Sequence, residues 1–89
     1  MSYIPSFAPT CERQIEKACK KNSILRKILN KKINEIIANP HHYKPLGYDL
    51  AGERRVHIMK NQILKFRVDK QNNRVIFIFF GHHDEAYGR

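Results

Sequence analysis

The sequence predicts an α+β fold: an N-terminal strand, a two-helix hairpin and an antiparallel sheet of about four strands on which the hairpin packs. Apolar residues recur at helical spacing in two segments of the first half, and they alternate with polar residues in the second half. Turn-forming residues separate these segments. Because exposing the apolar side of each helix to water is unfavourable, the helices are expected to pack that side against the sheet. The 89 residues form one domain, residues 1–89.

The first half of the chain is predicted to contain a short strand and both helices. Residues 3–7 are extended, and Pro9 suits the first turn of a helix that ends near Asn22. Ser23 is the expected N-cap of the second helix, which Asn39-Pro40 stops. Lysines and arginines occupy the outer side of each helix. The opposite, apolar side comprises Cys11, Ile15, Ala18 and Cys19, then Leu25, Ile28, Leu29, Ile33, Ile36 and Ile37.

Three strands are predicted after a turn-rich segment between Pro40 and Gly52. Residues 54–59 and 63–68 alternate between apolar and polar side chains, so each has one face toward the core. Residues 75–80 are apolar throughout, which favours a central strand packed on both faces. The face turned away from the core is expected to carry Arg55, His57, Lys65 and Arg67.

The charge of the chain predicts a polyanionic partner. Lysine and arginine number 17 against 8 acidic residues, a net charge of +9. Nucleic acid is the leading candidate, and an acidic protein is the other. No apolar stretch approaches the ~20 residues of a membrane-spanning helix, and the N-terminus lacks the pattern of a signal peptide. We therefore expect a cytoplasmic protein without membrane association. Cys11 and Cys19 fit neither a disulfide framework nor a zinc knuckle, and we expect both to be small buried residues.

A group of titratable side chains follows the apolar run of residues 75–80. His82 and His83 come directly after Gly81, and Tyr87 lies close behind. Histidine can both accept and donate a proton near neutral pH, and a tyrosine can stack on a base. Together with His57 in the first strand after the helices, these residues suit acid/base cleavage of RNA.

Cations and aromatic rings are expected to surround these histidines. If the helices cover one face of the sheet, the other face presents Arg55, Lys65 and Arg67 beside His57. Such cations neutralise phosphates, and Tyr43 or Tyr87 can stack on an unpaired base. The expected result is a cationic groove that contains histidines.

The order of these segments resembles that of toxins of the RelE/ParE superfamily from type II toxin–antitoxin systems. The resemblance is greatest to the branch that includes YafQ and its archaeal relatives. The resemblance covers nearly the whole chain. Its most specific part is Gly52-x-x-Arg55-x-His57-Ile58, followed some two dozen residues later by His83 and, after three more residues, by an aromatic. The matching segments are Phe7-Ala8-Pro9, the two Lys-rich helices, Ile36 to Pro40, Leu50 to Ile58, Ile63 to Val68 and His82 to Tyr87.

The resemblance implies a ribosome-dependent mRNA endoribonuclease that uses neither a metal nor any other cofactor. In this chemistry the 2′-hydroxyl attacks its own phosphodiester, one group removes the 2′ proton, and another protonates the departing 5′ oxygen. By position, His57 and His83 match the family's active-site histidines, and Tyr87 matches its terminal aromatic. Arg55 and Lys65 are the expected phosphate ligands.

The same resemblance implies the wider RNA interface and the partners. Lys44 stands where this branch often has a further histidine, and Asn61-Gln62 stands where relatives often have an acid and an aromatic. The expected partners are a cognate antitoxin and mRNA on the ribosome, with no small-molecule cofactor. The residues expected to contact RNA or phosphate are Lys44, Arg54, Arg55, Lys65, Arg67 and His82.

Three other functions are compatible with parts of the sequence. A ParE-like gyrase inhibitor would need no histidine-rich end. A non-catalytic RNA-binding module of the double-stranded-RNA type closes with a helix, and the eight residues after Gly81 are too few for one. A metal hydrolase lacks an acidic ligand pair, and adjacent histidines on an extended chain point to opposite sides. Its ligands would be His41, His42, His82 and His83.

Overall fold

The computed structural model describes residues 2–43 and 52–82. The roles expected of Lys44, His83 and Tyr87 therefore lie outside the described residues. Within them, a short strand leads into two helices, and three strands follow. The elements are β1 (Ile4–Phe7), α1 (Pro9–Cys19), α2 (Ser23–Ala38), a short 3₁₀ helix (Pro40–His42), β2 (Arg54–Ile58), β3 (Gln62–Asp69) and β4 (Arg74–His82).

The four strands form a mixed sheet in the order β1-β4-β3-β2. Strands β2, β3 and β4 are antiparallel neighbours joined by short turns, as predicted. Strand β1 instead pairs with β4 in parallel, so the sheet is not antiparallel throughout. The direction of β1 does not depend on a tight turn, because both helices and two strands separate it from its partner along the chain. The α+β class and the central position of β4 are confirmed.

The helix ends differ by a few residues from those predicted. Helix α1 ends at Cys19 rather than near Asn22. Asn22, rather than Ser23, caps α2: its side-chain oxygen accepts a hydrogen bond from the backbone N–H of Leu25 at 3.0 Å. An asparagine oxygen at this position satisfies an N–H that has no partner within the helix. Helix α2 stops before Asn39, as predicted.

The core lies between the helices and one face of the sheet. Phe7 of β1 stacks on Phe77 of β4 with the ring centroids 5.0 Å apart. Cys11 and Cys19 are buried free thiols, as expected, and burial raises the pKa of Cys11 to about 12. The described part of the chain has no helix long and apolar enough to cross a membrane. The buried cluster comprises Cys11, Cys19, Leu25, Leu29, Ile36, Ile58, Leu64, Phe66, Val75, Phe77 and Phe80.

Strand β4 contains a β-bulge that changes which side chains face the helices. Its Phe77 pairs with Phe66 and its Phe79 with Lys65, so Ile78 between them is an extra residue of β4 with no pairing partner on β3. The alternation of side chains between the two faces of the sheet is interrupted at Ile78. The buried, helix-facing residues of β4 are consequently Val75, Phe77 and Phe80.

Candidate nucleic-acid interface

The face of the sheet opposite the helices, called the outer face below, gathers cations around a histidine. Arg55 of β2 pairs with Lys65 of β3, and His57 pairs with Ile63. Arg67 is two residues beyond Lys65 on the same strand and has the same orientation. Of these, His57 is exposed and Arg55 is half-buried. The structure thus brings together four of the residues predicted to share this face.

Lys65 is not the solvent-facing residue that the alternation predicted. Only 8% of it is exposed, and its ammonium lies 2.9 Å from the Oε1 atom of Glu53. The contact has the distance of an ion pair without the alignment of a hydrogen bond. The other carboxylate oxygen of Glu53 accepts from Arg67 at 3.4 Å. One carboxylate therefore holds two cations of the outer face in place.

Glu53 is the residue of this interface that the sequence analysis missed. Its side chain is only 13% exposed. A glutamate is rarely buried unless it is paired, and Glu53 is paired with both cations. It immediately precedes β2, and its position extends the β2–β3 register to a place opposite Arg67. The sequence does carry a signal for this contact. Glu53 comes one residue before β2, and the β2–β3 pairing places it opposite Arg67 and close to Lys65.

Arg54 lies on the helix side of β2, away from the outer face. It pairs with the buried Phe66, and its guanidinium donates a hydrogen bond to the backbone carbonyl of Tyr43. The ring of Tyr43 packs edge-on against Phe66 with the centroids 5.8 Å apart. These contacts attach Tyr43, the residue directly after the 3₁₀ helix, to the sheet. Arg54 therefore lies on the opposite face of the sheet from His57.

His82 also lies on the helix side. It pairs with Gln62, and the preceding pair on this side joins Phe80 to Leu64, both in the core. His82 borders a cleft whose other wall is α1, including Gln14 and Lys17. The structure thus separates His82 from His57, which the sequence analysis placed in one groove.

Two of the histidines considered as metal ligands make aromatic contacts in the described part of the chain. His41 makes an edge contact with Tyr3 at 6.0 Å, and His42 makes one with Tyr43 at 5.1 Å, both measured between ring centroids. Across residues 2–43 and 52–82, no group of three His, Cys, Asp or Glu side chains is arranged to hold a metal ion.

Comparison with known proteins identifies the family. Residues 6–87 match the family model described as the ParE toxin of the type II toxin–antitoxin system parDE. A candidate toxin of Methanocaldococcus jannaschii, RelE4, is 43% identical over 85 residues, which cover 96% of this chain and 90% of that protein.

Solved structures agree on the fold. A toxin–antitoxin complex, RelBE2 from Mycobacterium tuberculosis, contains a chain with a TM-score of 0.77 at 23% identity, covering 93% of this chain and all (100%) of that one. The YoeB/ParE toxin from Agrobacterium tumefaciens has a TM-score of 0.81 at 18% identity, covering 90% of this chain and 98% of that one. With the family-model match and the archaeal relative, these findings confirm the resemblance seen in the sequence: the chain belongs to the ParE toxin family of type II toxin–antitoxin systems, within the RelE/ParE superfamily.

Proposed function

We propose that this toxin is a ribosome-dependent mRNA endoribonuclease that acts in the cytoplasm without a metal ion. The observation that carries the proposal is the outer face, where an exposed histidine, His57, lies on the same surface as Arg55 and the Glu53-bound cations Lys65 and Arg67. A phosphodiester needs such cations nearby, and its cleavage needs a group that can carry a proton.

The chemistry divides among these residues. The 2′-hydroxyl of the RNA attacks the adjacent phosphorus, so a base must take its proton and an acid must protonate the departing 5′ oxygen. His57 is one of these two groups, and His83, which the resemblance matches to the family's second active-site histidine, is the other. Arg55 contacts the phosphate, and Tyr87 stacks on or positions a base.

The cations differ in what they contribute. Arg67 is exposed, with a side-chain exposure of 58%, and it can turn from Glu53 toward a phosphate. Lys65 is held by Glu53 beneath the surface, where it fixes the carboxylate that also binds Arg67. Of the other residues expected to contact RNA, Arg54 and His82 lie on the helix side of the sheet, and Lys44 is outside the described residues.

The proposal includes a cognate antitoxin as partner. Type II toxins are paired with a protein antitoxin, and the related chain from Mycobacterium tuberculosis was solved in a toxin–antitoxin complex. With a net charge of +9, this chain would attract an acidic, amphipathic segment that covers the cations and blocks RNA.

Inhibition of DNA gyrase is the second candidate, because the matching family model is that of ParE. A gyrase inhibitor binds its target without bond cleavage, so it has no use for an exposed histidine beside phosphate-binding cations. The placement of His57 favours the ribonuclease.

Primer extension on an mRNA in a reconstituted translation system distinguishes the two. The wild-type toxin is expected to cut within codons of translated mRNA only when ribosomes are present. His57→Ala and His83→Ala should each reduce cutting by roughly 10²–10⁴-fold, the usual contribution of an acid or base. The matched control is His41→Ala, an exposed histidine on the 3₁₀ helix that should leave cutting unchanged. Gyrase inhibition by wild type without RNA cleavage would refute the proposal.

A further inference from the structure

The end of the sheet carries a groove on the helix side that the proposed chemistry does not use. Gln62 and His82 form the last described pair between β3 and β4, and two adjoining clefts share them. One cleft, about 560 Å³, is bounded by the β2–β3 turn, residues 59–61. The other, about 480 Å³, is bounded by α1, where Lys17 contributes to its wall.

Helix α1 is held against this end of the sheet by a specific hydrogen bond. Strand β1 pairs with β4 only as far as Phe77, so among residues 2–43 and 52–82 no strand lies beside the edge of β4 beyond that point. The side-chain oxygen of Gln14 on α1 accepts from the backbone N–H of Phe80 at 3.0 Å. This bond gives the Phe80 N–H at the edge of β4 a hydrogen-bond partner. It also fixes the position of α1, which forms one wall of the groove, relative to His82.

The side chains around the groove match the parts of an unpaired nucleotide. The amide of Gln62 and the imidazole of His82 can donate to and accept from the edge of a base. Lys17 on one side and Lys60 on the other are exposed cations suited to phosphate. Met59 offers an apolar surface, 60% exposed, against which a base can pack.

The backbone at the mouth of the groove is strained. Met59 has a φ of 59°, in the left-handed region that a long side chain adopts at a cost of roughly 1–2 kcal/mol. It lies in the short turn between Ile58 and Gln62, and this conformation holds an apolar side chain in solvent. Left-handed residues occur in hairpin turns, as Asn73 does in the β3–β4 turn, and they also cluster at functional sites.

The groove and His57 lie at the same end of the sheet, on opposite faces. The pair that precedes Gln62 and His82 on these strands joins Ile63 to Gly81, and Ile63 in turn pairs with His57. His57 and the groove lie on opposite faces of the sheet, so an RNA strand that places a phosphate near His57 reaches the groove by passing around the end of the sheet.

We propose that this groove binds an unpaired nucleotide of the RNA that flanks the cleaved bond, with Gln62 and His82 at the base and Lys17 and Lys60 at its phosphates. The inference rests on the proposed ribonuclease function, since that function supplies the RNA. It assigns to His82 a binding role on the helix side, separate from the proton transfer assigned to His57.

Binding of an uncleavable oligonucleotide tests the groove independently of cleavage. The probe is a fluorescent single-stranded RNA hexamer whose 2′-hydroxyls are all replaced by fluorine, so that no 2′ attack is possible. Gln62→Ala and His82→Ala should each weaken binding about tenfold, equivalent to about 1.4 kcal/mol. The matched controls, Gln71→Ala in the β3–β4 turn and His41→Ala, should bind within about twofold of wild type.

A second measurement needs no substitution. The methyl resonance of Met59 in a methyl-labelled wild-type protein should shift on titration with the hexamer, while that of an apolar core residue such as Leu29 should not. Equal affinity of wild type, Gln62→Ala and His82→Ala, with an unmoved Met59 methyl, would overturn the groove even if the toxin cuts mRNA normally. Conversely, loss of hexamer binding in the two variants of a toxin that cuts no mRNA would retain the groove and reject the ribonuclease.

Discussion

Replacement of Glu53 by glutamine removes the negative charge that lies between Lys65 and Arg67. The side chains of Lys65 and Glu53 are only 10% and 13% exposed, so the ammonium would lose its counter-ion where little water can reach it. Removing one partner of a fully buried pair costs roughly 3–5 kcal/mol. Because the glutamine dipole still faces Lys65 and some water remains, we expect a loss of about 2 kcal/mol in the free energy of unfolding. For a domain of this size, that corresponds to a decrease in Tm of roughly 8–16 °C.

The chain supplies a matched control for this substitution. Glu35 forms an ion pair with Lys32 at 3.2 Å on the surface of α2, where the two side chains are 44% and 31% exposed. An exposed helical pair contributes about 0.3–0.5 kcal/mol, so Glu35→Gln should have a small effect. Urea unfolding of both variants at pH 7, followed by circular dichroism, gives the comparison.

The double variant Glu53→Gln/Lys65→Met separates the loss of the Glu53–Lys65 ion pair from a loss of packing. If the cost of Glu53→Gln arises from the buried ammonium, removing that ammonium should restore most of the lost stability. Equal unfolding free energies for Glu53→Gln and Glu35→Gln, within about 0.5 kcal/mol, would refute the assignment of Glu53 as the counter-ion of Lys65.

Three further predictions concern single side chains. Asn22→Ala should lower the unfolding free energy by about 1 kcal/mol, because the N–H of Leu25 loses its cap; an unchanged urea midpoint would contradict this. Burial raises the pKa of Cys11 to about 12, so the folded protein should resist thiol reagents at pH 8, and the contribution of this protonated thiol to stability should be complete below about pH 9 and lost as the pH rises toward 12. Rapid labelling of native protein would argue against burial. Hydrogen bonds from Asn72 lower the pKa of Asp69, so any contribution of this carboxylate to stability is present above its ordinary pKa and lost as the pH falls. An NMR titration should show a higher Asp69 pKa in Asn72→Ala, which removes the side-chain bond and keeps the backbone one, and an unchanged value would exclude the side-chain bond as the main cause.

Local patterns were sufficient to predict most elements of the fold. Helical spacing and strand alternation depend on which side chains face the core, and that information is present in neighbouring residues. The parallel direction of β1 was not predictable in this way, because no short turn joins Ile4–Phe7 to β4 and its register depends on distant residues. The choice of Asn22 over Ser23 as cap also depended on the conformation of a two-residue connection.

The outer face was predictable for the same reason that the strands were. Alternation alone places Arg55 with His57 and Lys65 with Arg67, and the structure adds the β2–β3 register that brings the two pairs together. Alternation cannot reveal that Glu53 turns onto this face and makes Lys65 part of a buried ion pair, because that depends on the backbone just before β2.

The face of the sheet on which His82 lies could not be predicted for a different reason. Residues 75–80 are apolar throughout, so the sequence has no alternation there that would reveal an extra residue. The bulge at Ile78 changes the face of every later side chain of β4, which places His82 beside Gln62 on the helix side instead of beside His57. One backbone irregularity thus determined which histidine shares the cationic face.

The chemical ends of the RNA fragments test the ribonuclease account most directly. Attack by the 2′-hydroxyl leaves a 2′,3′-cyclic phosphate on the upstream fragment and a free 5′-hydroxyl on the downstream one. We predict these ends for mRNA cut on ribosomes by the wild-type toxin, and their loss with His57→Ala but not with His41→Ala. Fragments with 5′-phosphate ends, or no fragments at all from a folded wild-type protein, would contradict metal-independent cleavage through the outer face.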